Sequence, residues 1–158
     1  MNVDIKKLAA PVGVAAVMVG LAAGPVAPAS AVNNIKPYGT QETLIDGDNE
    51  IGYTVAGLAP STDTIPYAVA GRLYESMVTV NAVRGFVTPV VPFFNARSEH
   101  GANYRVLANV WTPQGLSGAQ LPPGGTSSGK IYFDVVGPDL PNSVVFSDGA
   151  QDFLAWFG

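Results

Sequence analysis

The amino-acid sequence predicts an all-β fold: an immunoglobulin-like antiparallel β-sandwich without a disulfide, preceded by an N-terminal signal peptide. Three observations lead to this prediction. Apolar side chains recur at every second position in several short stretches, which is the period of half-buried strands. Glycine and proline separate these stretches, and no cysteine occurs among the 158 residues. Because the cysteine pair of true immunoglobulin domains is missing, the term immunoglobulin-like refers to architecture alone.

The N-terminal segment has the organisation of a secretory signal peptide. Two lysines precede an apolar run over residues 8–27, and an Ala-Ser-Ala cleavage signal follows. We therefore expect cleavage between Ala31 and Val32, which separates a signal peptide, residues 1–31, from one secreted extracellular domain, residues 32–158. The alternative is an uncleaved membrane anchor, which the prolines at the end of the run disfavour.

The exported domain is acidic. Without Asp4, Lys6 and Lys7, the chain's eight basic and twelve acidic residues become six and eleven, a net charge of −5. Nucleic-acid binding depends on clustered positive charge, and anionic membranes attract polybasic segments. We therefore expect no nucleic-acid partner and no stable membrane insertion of the domain. Its length allows a core that needs no disulfides, and we expect a monomer.

The first predicted strands follow from alternation along the chain. Residues 51–55 place isoleucine, tyrosine and valine on one face, and residues 74–80 place tyrosine and two valines on one face. Residues 104–111 alternate in the same way. Turn signals lie before the first of these strands, at residues 46–49, and between successive strands, at residues 59–61 and 100–101.

The last predicted strands repeat the same pattern. Residues 131–135 place isoleucine, phenylalanine and valine on one face, and shorter apolar pairs at residues 144–146 and 154–156 predict two closing strands. The Pro-Pro-Gly-Gly turn at residues 122–125 precedes them. Short strands separated by turns are typical of a β-sandwich.

The most apolar stretch of the exported domain covers residues 80–97. It is too short and too rich in proline for a membrane-spanning helix. We expect one strand to end here, Arg84 and Gly85 to turn the chain, and the following apolar run to form a second strand. Pro89 and Pro92 lack backbone donors, which predicts that this second strand lies at a sheet edge or a bulge.

Three motifs resemble known chemical sites. Residues 124–130 fit G-x-x-x-x-G-K, but Ile131 stands where a phosphate-binding loop needs Ser or Thr, so we interpret them as a loop that enters a strand. The carboxylates of residues 46–50 could bind calcium, but their Asp-Gly step favours a turn. His100 is the only histidine and cannot form a zinc site alone, and we expect it in a turn. We predict no metal and no cofactor.

Two carboxylates fall inside predicted strands. Glu75 and Asp134 could form the acid/base pair of a glycosidase. The simpler interpretation is that they are solvent-facing charges that pair with arginines such as Arg72 or Arg105. We therefore assign no catalytic residues.

The two tryptophans, Trp111 and Trp156, are expected to be core or corner aromatics. An aromatic platform that binds sugar is the alternative for them, and sequence spacing does not distinguish the two.

Several segments occur in a characteristic order along the chain. They include Ile65-Pro66, Val69-Ala70-Gly71, Val80-Asn81-Ala82-Val83-Arg84-Gly85, Phe94-Asn95-Ala96-Arg97, Asn103-Tyr104-Arg105-Val106-Leu107 and Lys130-Ile131-Tyr132-Phe133-Asp134-Val135. This set resembles one known family, the mycobacterial secreted immunogenic proteins of the MPT/MPB sixty-three type. The resemblance extends from about Gly52 to Trp156 and is weakest over residues 32–41. It implies an exported immunoglobulin-like β-sandwich, known as an antigen and without an established activity, and it carries over no catalytic residue.

The same resemblance suggests that Phe94 points into the core. Strand alternation then sends Phe93 outward. We therefore expect Phe93 to be at least partly exposed between Arg84 and Arg97, and these three residues are the candidate binding surface.

These observations favour a secreted, non-enzymatic interaction module that binds a host protein or a component of the cell envelope. The alternative is a carrier of a small molecule or lipid in a cleft of the sandwich. A carrier needs a continuous apolar cavity of several hundred Å³, whereas a module has a filled core and an apolar surface patch.

Overall fold

A computed structural model describes residues 34–158. The predicted signal peptide and its cleavage site at Ala31 and Val32 lie outside this range. The described residues form two packed sheets, which confirms the predicted all-β sandwich. The strands are β1 (Ile35–Pro37), β2 (Gln41–Asp46), β3 (Asn49–Val55), β4 (Ala59–Pro60), β5 (Arg72–Arg84), β6 (Phe94–Ser98), β7 (Asn103–Arg105), β8 (Thr126–Val135), β9 (Pro141–Ser147) and β10 (Asp152–Phe157), and a 3-10 turn covers Val91–Phe93.

The first sheet has the order β1-β10-β9-β6-β7. The second is centred on β5, which pairs with β8 along one edge and with both β3 and β4 along the other, while β2 pairs with β3. All of these pairs are antiparallel except β1 with β10, which is parallel.

The N-terminal strands connect the two sheets. The Tyr38 N–H donates to the Phe157 carbonyl in the first sheet, and the next N–H, of Gly39, donates to the Val55 carbonyl in the second. Gly39 has a φ of +85°, a conformation that favours glycine, so the chain can change sheets within one residue. The sequence left the conformation of this segment open.

Alternation along the strands builds the core between the sheets. In β5, Tyr74, Ser76, Val78, Val80 and Ala82 are buried while their neighbours are more exposed. The largest side chains that are fully buried come from both sheets: Tyr53, Phe94, Phe133, Leu154 and Trp156. Burial of each such side chain stabilises the fold by roughly 1.5–3 kcal/mol, which is how the domain is held without a disulfide.

The third predicted strand is much shorter than expected. β7 ends at Arg105, after which the Val106 N–H donates to Phe94 of β6 and the Leu107 N–H donates to Tyr132 of β8. The chain thus crosses from one sheet to the other. Alternation cannot reveal this, because Val106 remains buried on either sheet.

The predicted edge strand after Gly85 is also wrong. Residues 91–93 form the 3-10 turn, and β6 starts only at Phe94, between β9 and β7 in the interior of its sheet. Pro89 and Pro92 precede the strand. The N–H groups that they lack would therefore not have taken part in the hydrogen bonds between β6 and its neighbours. The predicted turn at Arg84 and Gly85 is confirmed, and Gly85 has a φ of +72°.

Candidate functional site

Phe93 and Phe94 have different environments. The Phe94 side chain is fully buried against Phe146 and Tyr53, with ring centroids 5.0 and 5.6 Å away. Phe93 is half-buried, and its ring centroid lies 5.5 Å from that of Phe146 in the same cluster. The expected partial exposure of Phe93 is therefore observed, although it results from the 3-10 turn and not from strand alternation.

Phe93 lines an open groove of about 640 Å³ at the end of the sandwich where β5 finishes. Ile45 and Phe86, which are 71% and 59% exposed, stand at its sides, and Tyr53 and Phe146 form its floor. We call this surface the aromatic groove. Its apolar lining is Leu44, Ile45, Ile51, Tyr53, Phe86, Val87, Val90, Phe93, Phe146 and Phe153, and its polar lining is Asp46, Asn49 and Thr88.

Hydrogen bonds fix the wall of the aromatic groove that residues 86–93 form. Val87 exchanges two backbone hydrogen bonds with Leu121, of 3.0 and 2.8 Å. The Val90 N–H donates to the Tyr53 hydroxyl at 3.3 Å, and burial raises the pKa of Tyr53 to about 12, so the hydroxyl stays neutral. The Asn95 amide donates to the Phe93 carbonyl at 2.9 Å. The groove is therefore largely formed before any ligand binds.

The two candidate arginines have different roles. Arg84 is exposed and donates from Nε to the Asp48 carbonyl at 2.9 Å, beside Asn49 of the groove lining. Arg97 instead binds both carboxylate oxygens of Asp152, at 2.5 and 3.0 Å. This ion pair holds the pKa of Asp152 below its usual range. Of the three sequence candidates, Phe93 lines the groove, Arg84 lies near it, and Arg97 is a structural ion-pair partner.

Glu75 belongs to a compact polar cluster on the outer face of the second sheet. Lys130 Nζ lies 2.9 Å from Glu75 and 2.7 Å from Asp63, and the Ser61 hydroxyl also donates to Glu75. The Tyr132 hydroxyl donates to Asp63 at 2.7 Å. The hydrogen bond from Lys130 is the main reason that the pKa of Asp63 falls to about 2.

These contacts replace the predicted pairing of Glu75 with an arginine. They also compensate its charge, because both oxygens of Glu75 face Lys130, and one of them also accepts the hydrogen bond from Ser61. Asp134 is likewise occupied: its two oxygens accept the backbone N–H groups of Ala70 and Gly71, both at 2.8 Å. Neither carboxylate is placed as a free general acid or base.

None of the three motifs that resemble chemical sites forms such a site in the structure. Residues 46–49 form the hairpin between β2 and β3, with Gly47 at a φ of +58°. The stretch that resembles a phosphate-binding loop is mostly strand, because only Gly124 and Gly125 precede β8 and residues 126–130 already belong to it. His100 is exposed in the turn after β6. Among residues 34–158, no group of three or more His, Asp or Glu side chains is arranged to hold a metal ion.

The two tryptophans differ from each other. Trp156 is fully buried and donates from its indole N–H to the Thr40 carbonyl at 2.9 Å, as a core aromatic should. Trp111 is 78% exposed, which overturns the expectation that it packs as a core or corner aromatic. The reason is that β7 ends early, so Trp111 lies in the loop beyond it.

Sequence reasoning missed most of the aromatic groove. Ile45, Phe86 and Phe153 come from three distant parts of the chain, and each looks like an ordinary apolar residue of a strand or loop. The family resemblance at Phe94, together with strand alternation, pointed to Phe93. No comparable signal pointed to the others, because only the packing of the sheets brings them together.

The chain matches one protein family and is similar to immunogenic proteins of mycobacteria. Residues 33–156 match a family described as "Domain of unknown function (DUF1942)". Immunogenic protein MPB63 of Mycobacterium bovis and immunogenic protein MPT63 of Mycobacterium tuberculosis are each 48% identical to the chain over 121 residues, covering 75% of this chain and 76% of theirs.

A solved structure extends this similarity to the fold. The crystal structure of MPT63, described as a secreted protein from Mycobacterium tuberculosis, matches with a TM-score of 0.76 and 45% identity, over 82% of this chain and 100% of that one. Within residues 34–158, no helix is long and apolar enough to cross a membrane.

Proposed function

The chain belongs to the DUF1942 family together with the mycobacterial immunogenic proteins MPB63 and MPT63, and we propose from this that it is a secreted, non-enzymatic interaction module. The aromatic groove is its binding surface, and the partner is a protein of the host or of the cell envelope. The observation that carries the proposal is the groove itself: an open, preformed, aromatic-lined surface on a domain whose core is a cluster of buried side chains.

The shape of the groove favours a protein partner over an enclosed ligand. Ligand pockets cover most of their ligand's surface, whereas this groove is open and Tyr53 and Phe146 close its floor. Aromatic side chains in preformed pockets are the usual anchors of protein interfaces. The groove therefore suits one or two apolar side chains of a partner better than a whole acyl chain.

Charge around the groove indicates what else the partner carries. Asp46 lines the groove, and Asp48 and Glu50 lie in the adjoining hairpin, with Arg84 as the nearby cation. The exported domain is acidic as a whole. We therefore expect an apolar or aromatic anchor flanked by a basic residue, because opposite charge at the rim speeds association and fixes orientation.

The test compares capture by the wild-type exported domain with capture by Phe86→Ser. Phe86 is 59% exposed, so this substitution removes the groove's side without opening the core. Val136→Ser is the matched control, since Val136 is 58% exposed and follows the opposite end of the second sheet. Bound material from cell-envelope extracts and from host-cell surfaces is analysed for proteins and for lipids by mass spectrometry.

The proposal expects a protein that binds the wild type and Val136→Ser and is lost with Phe86→Ser. The same partner should lose affinity for Phe93→Ala by about tenfold or more, the scale of a hot-spot side chain. Equal capture by Phe86→Ser contradicts the assignment of the groove. Enrichment of a lipid without any protein supports the carrier alternative instead.

A further inference from the structure

A second exposed aromatic lies in the loop that follows β7. The loop formed by residues 106–116 begins and ends at the edge of β8, and Trp111 projects from its middle with 78% of its surface exposed. An exposed tryptophan is uncommon, because burial of its ring is strongly favourable. The exposed ring of Trp111 is therefore a candidate contact surface for a ligand.

The loop that carries Trp111 is fixed at both ends. Leu107 donates its N–H to Tyr132 at 2.8 Å, and Leu116 donates its N–H to Lys130 at 2.9 Å. Next to Trp111, the Gly115 N–H closes a turn onto the Thr112 carbonyl at 3.0 Å. The ring is thus displayed by a tethered backbone, which lowers the entropy lost on binding.

Trp111 lies at an open cleft of about 570 Å³. Pro89, Val91 and Leu116 give the cleft apolar surface, while Asn109, Ser117 and Lys130 supply polar groups. Asn and Ser side chains can both donate and accept hydrogen bonds. The cleft therefore combines a flat apolar platform with hydrogen-bonding groups at its sides, unlike the predominantly apolar groove at Phe93.

The charges of the residues that line the cleft indicate which class of ligand it can bind. Lys130 is the only charged side chain among the residues that line this cleft, and it already lies 2.7 Å from Asp63 and 2.9 Å from Glu75. An anionic ligand would need a cation that is not already compensated. The cleft thus favours a neutral ligand.

We propose that the Trp111 cleft binds a neutral saccharide, with one face of a pyranose ring stacked on the indole of Trp111. A pyranose has an apolar C–H face and a rim of hydroxyls, which matches the platform and the polar groups of the cleft. A proline-rich peptide fits less well, since such ligands dock between several exposed aromatics. Tyr132, the other aromatic that lines the cleft, is only 2% exposed.

The test uses the fluorescence of Trp111 in the exported domain. The chain has two tryptophans, and Trp156→Phe leaves Trp111 as the sole emitter. Short neutral oligosaccharides in the gluco, manno and galacto configurations and of N-acetylglucosamine are titrated, with a polyproline peptide as a further arm. We expect at least one saccharide to shift the emission to shorter wavelength saturably and to protect it from acrylamide quenching.

Calorimetry on chains that retain Trp156 gives the affinity. Trp111→Ala should weaken saccharide binding at least about tenfold, and Trp111→Tyr should retain part of it because a smaller ring still stacks. Phe86→Ser, in the aromatic groove, should bind the saccharide as the wild type does, so the two surfaces are tested separately. No shift with any saccharide, equal binding by Trp111→Ala, or a shift with polyproline alone would each overturn the proposal.

Discussion

Glu42 is a buried carboxyl group at the edge of the second sheet. It lies on β2, is 4% exposed, and has one oxygen, Oε1, without a hydrogen-bond partner among the described residues. Burial raises its pKa to about 7, and the backbone N–H of Ala155 and the charge of Lys36 oppose this only in part. The group is therefore protonated in the folded protein over a pH range in which the unfolded chain is ionised.

This shift predicts a pH-dependent penalty. Below pH 4.5 the carboxyl is protonated in both states and costs nothing; between pH 4.5 and 7 the unfolded state alone ionises, so stability falls as pH rises. Above pH 7 the full penalty applies, about 1–3 kcal/mol, where the lower figure allows for solvent screening at an edge strand.

Glu42→Gln should remove this penalty. We expect the variant to exceed the wild type in free energy of unfolding by about 1–3 kcal/mol at pH 8 and to equal it at pH 4, measured by urea denaturation. The acid limb should persist in both proteins, because the lowered pKa of Asp63, about 2, gives stability that is lost as pH falls from about 4 toward 2. A variant no more stable than the wild type at pH 8 would contradict the buried, protonated state of Glu42.

Substitution of the adjacent residues Phe93 and Phe94 tests which of the two side chains belongs to the core. Phe94→Ala should lower the free energy of unfolding by about 3–5 kcal/mol, because it leaves a cavity among fully buried rings. Phe93→Ala should cost clearly less, because the Phe93 side chain is half-buried and lines the open groove. Thermal and urea unfolding of both variants check this, and equal losses would mean that Phe93 is a core residue.

At the scale of elements, the loop over β8 depends on one glycine. Gly129 lies in β8, where a Cβ atom would stand 2.4 Å from the Leu116 nitrogen and 2.5 Å from the Gly115 carbonyl carbon. Both are backbone atoms, so neither can rotate away. This close approach lets the loop satisfy the free edge of β8, which would otherwise be exposed to pairing with other chains.

Gly129→Ala should therefore displace the loop. We expect a loss of about 1–3 kcal/mol in the free energy of unfolding, from overpacking and lost backbone hydrogen bonds, together with changed fluorescence of Trp111. Gly118→Ala is the control, because a Cβ there meets nothing within 4 Å. If both variants unfold like the wild type, the contact between the loop and β8 is not the one described.

At the scale of the whole molecule, the predicted cleavage site precedes the first strand by only a few residues of the sequence. The first strand starts at Ile35, and the Asn34 carbonyl accepts the Ala155 N–H at 3.0 Å. The predicted cleavage after Ala31 would leave this pairing intact. The mature domain should therefore fold without the signal peptide.

We expect the protein recovered from culture medium to begin at Val32, as intact-mass and N-terminal sequencing would show. Ala31→Arg should retain the longer precursor, because signal peptidase requires a small residue there, whereas Ala56→Arg, on an exposed residue within the domain, should be processed normally. Secretion of an unprocessed chain would contradict the cleavage site.

The chain has no cysteine, so the melting temperature of the mature domain should be the same with and without reductant.

The sequence by itself determined the layers of this protein. Period-two alternation in segments such as residues 51–55 and 131–135 fixes which side chains face the core, because successive strand residues point to opposite faces. The ordered segments from Gly52 to Trp156 were enough to indicate the family. Alternation is a local property that a short window of residues contains, and the order of the family segments is read directly along the chain.

Only the tertiary structure decided where the chain changes sheets and which surfaces result. Val106 leaves one sheet for the other, so Trp111 stands in solvent and not in the core. The 3-10 turn places Phe93 in the same groove as Phe86 and Phe153. Glu75 forms its ion pair with Lys130 and not with an arginine. These outcomes depend on contacts between residues far apart in the chain, and a periodic pattern carries no information about which distant strand or loop a side chain will meet.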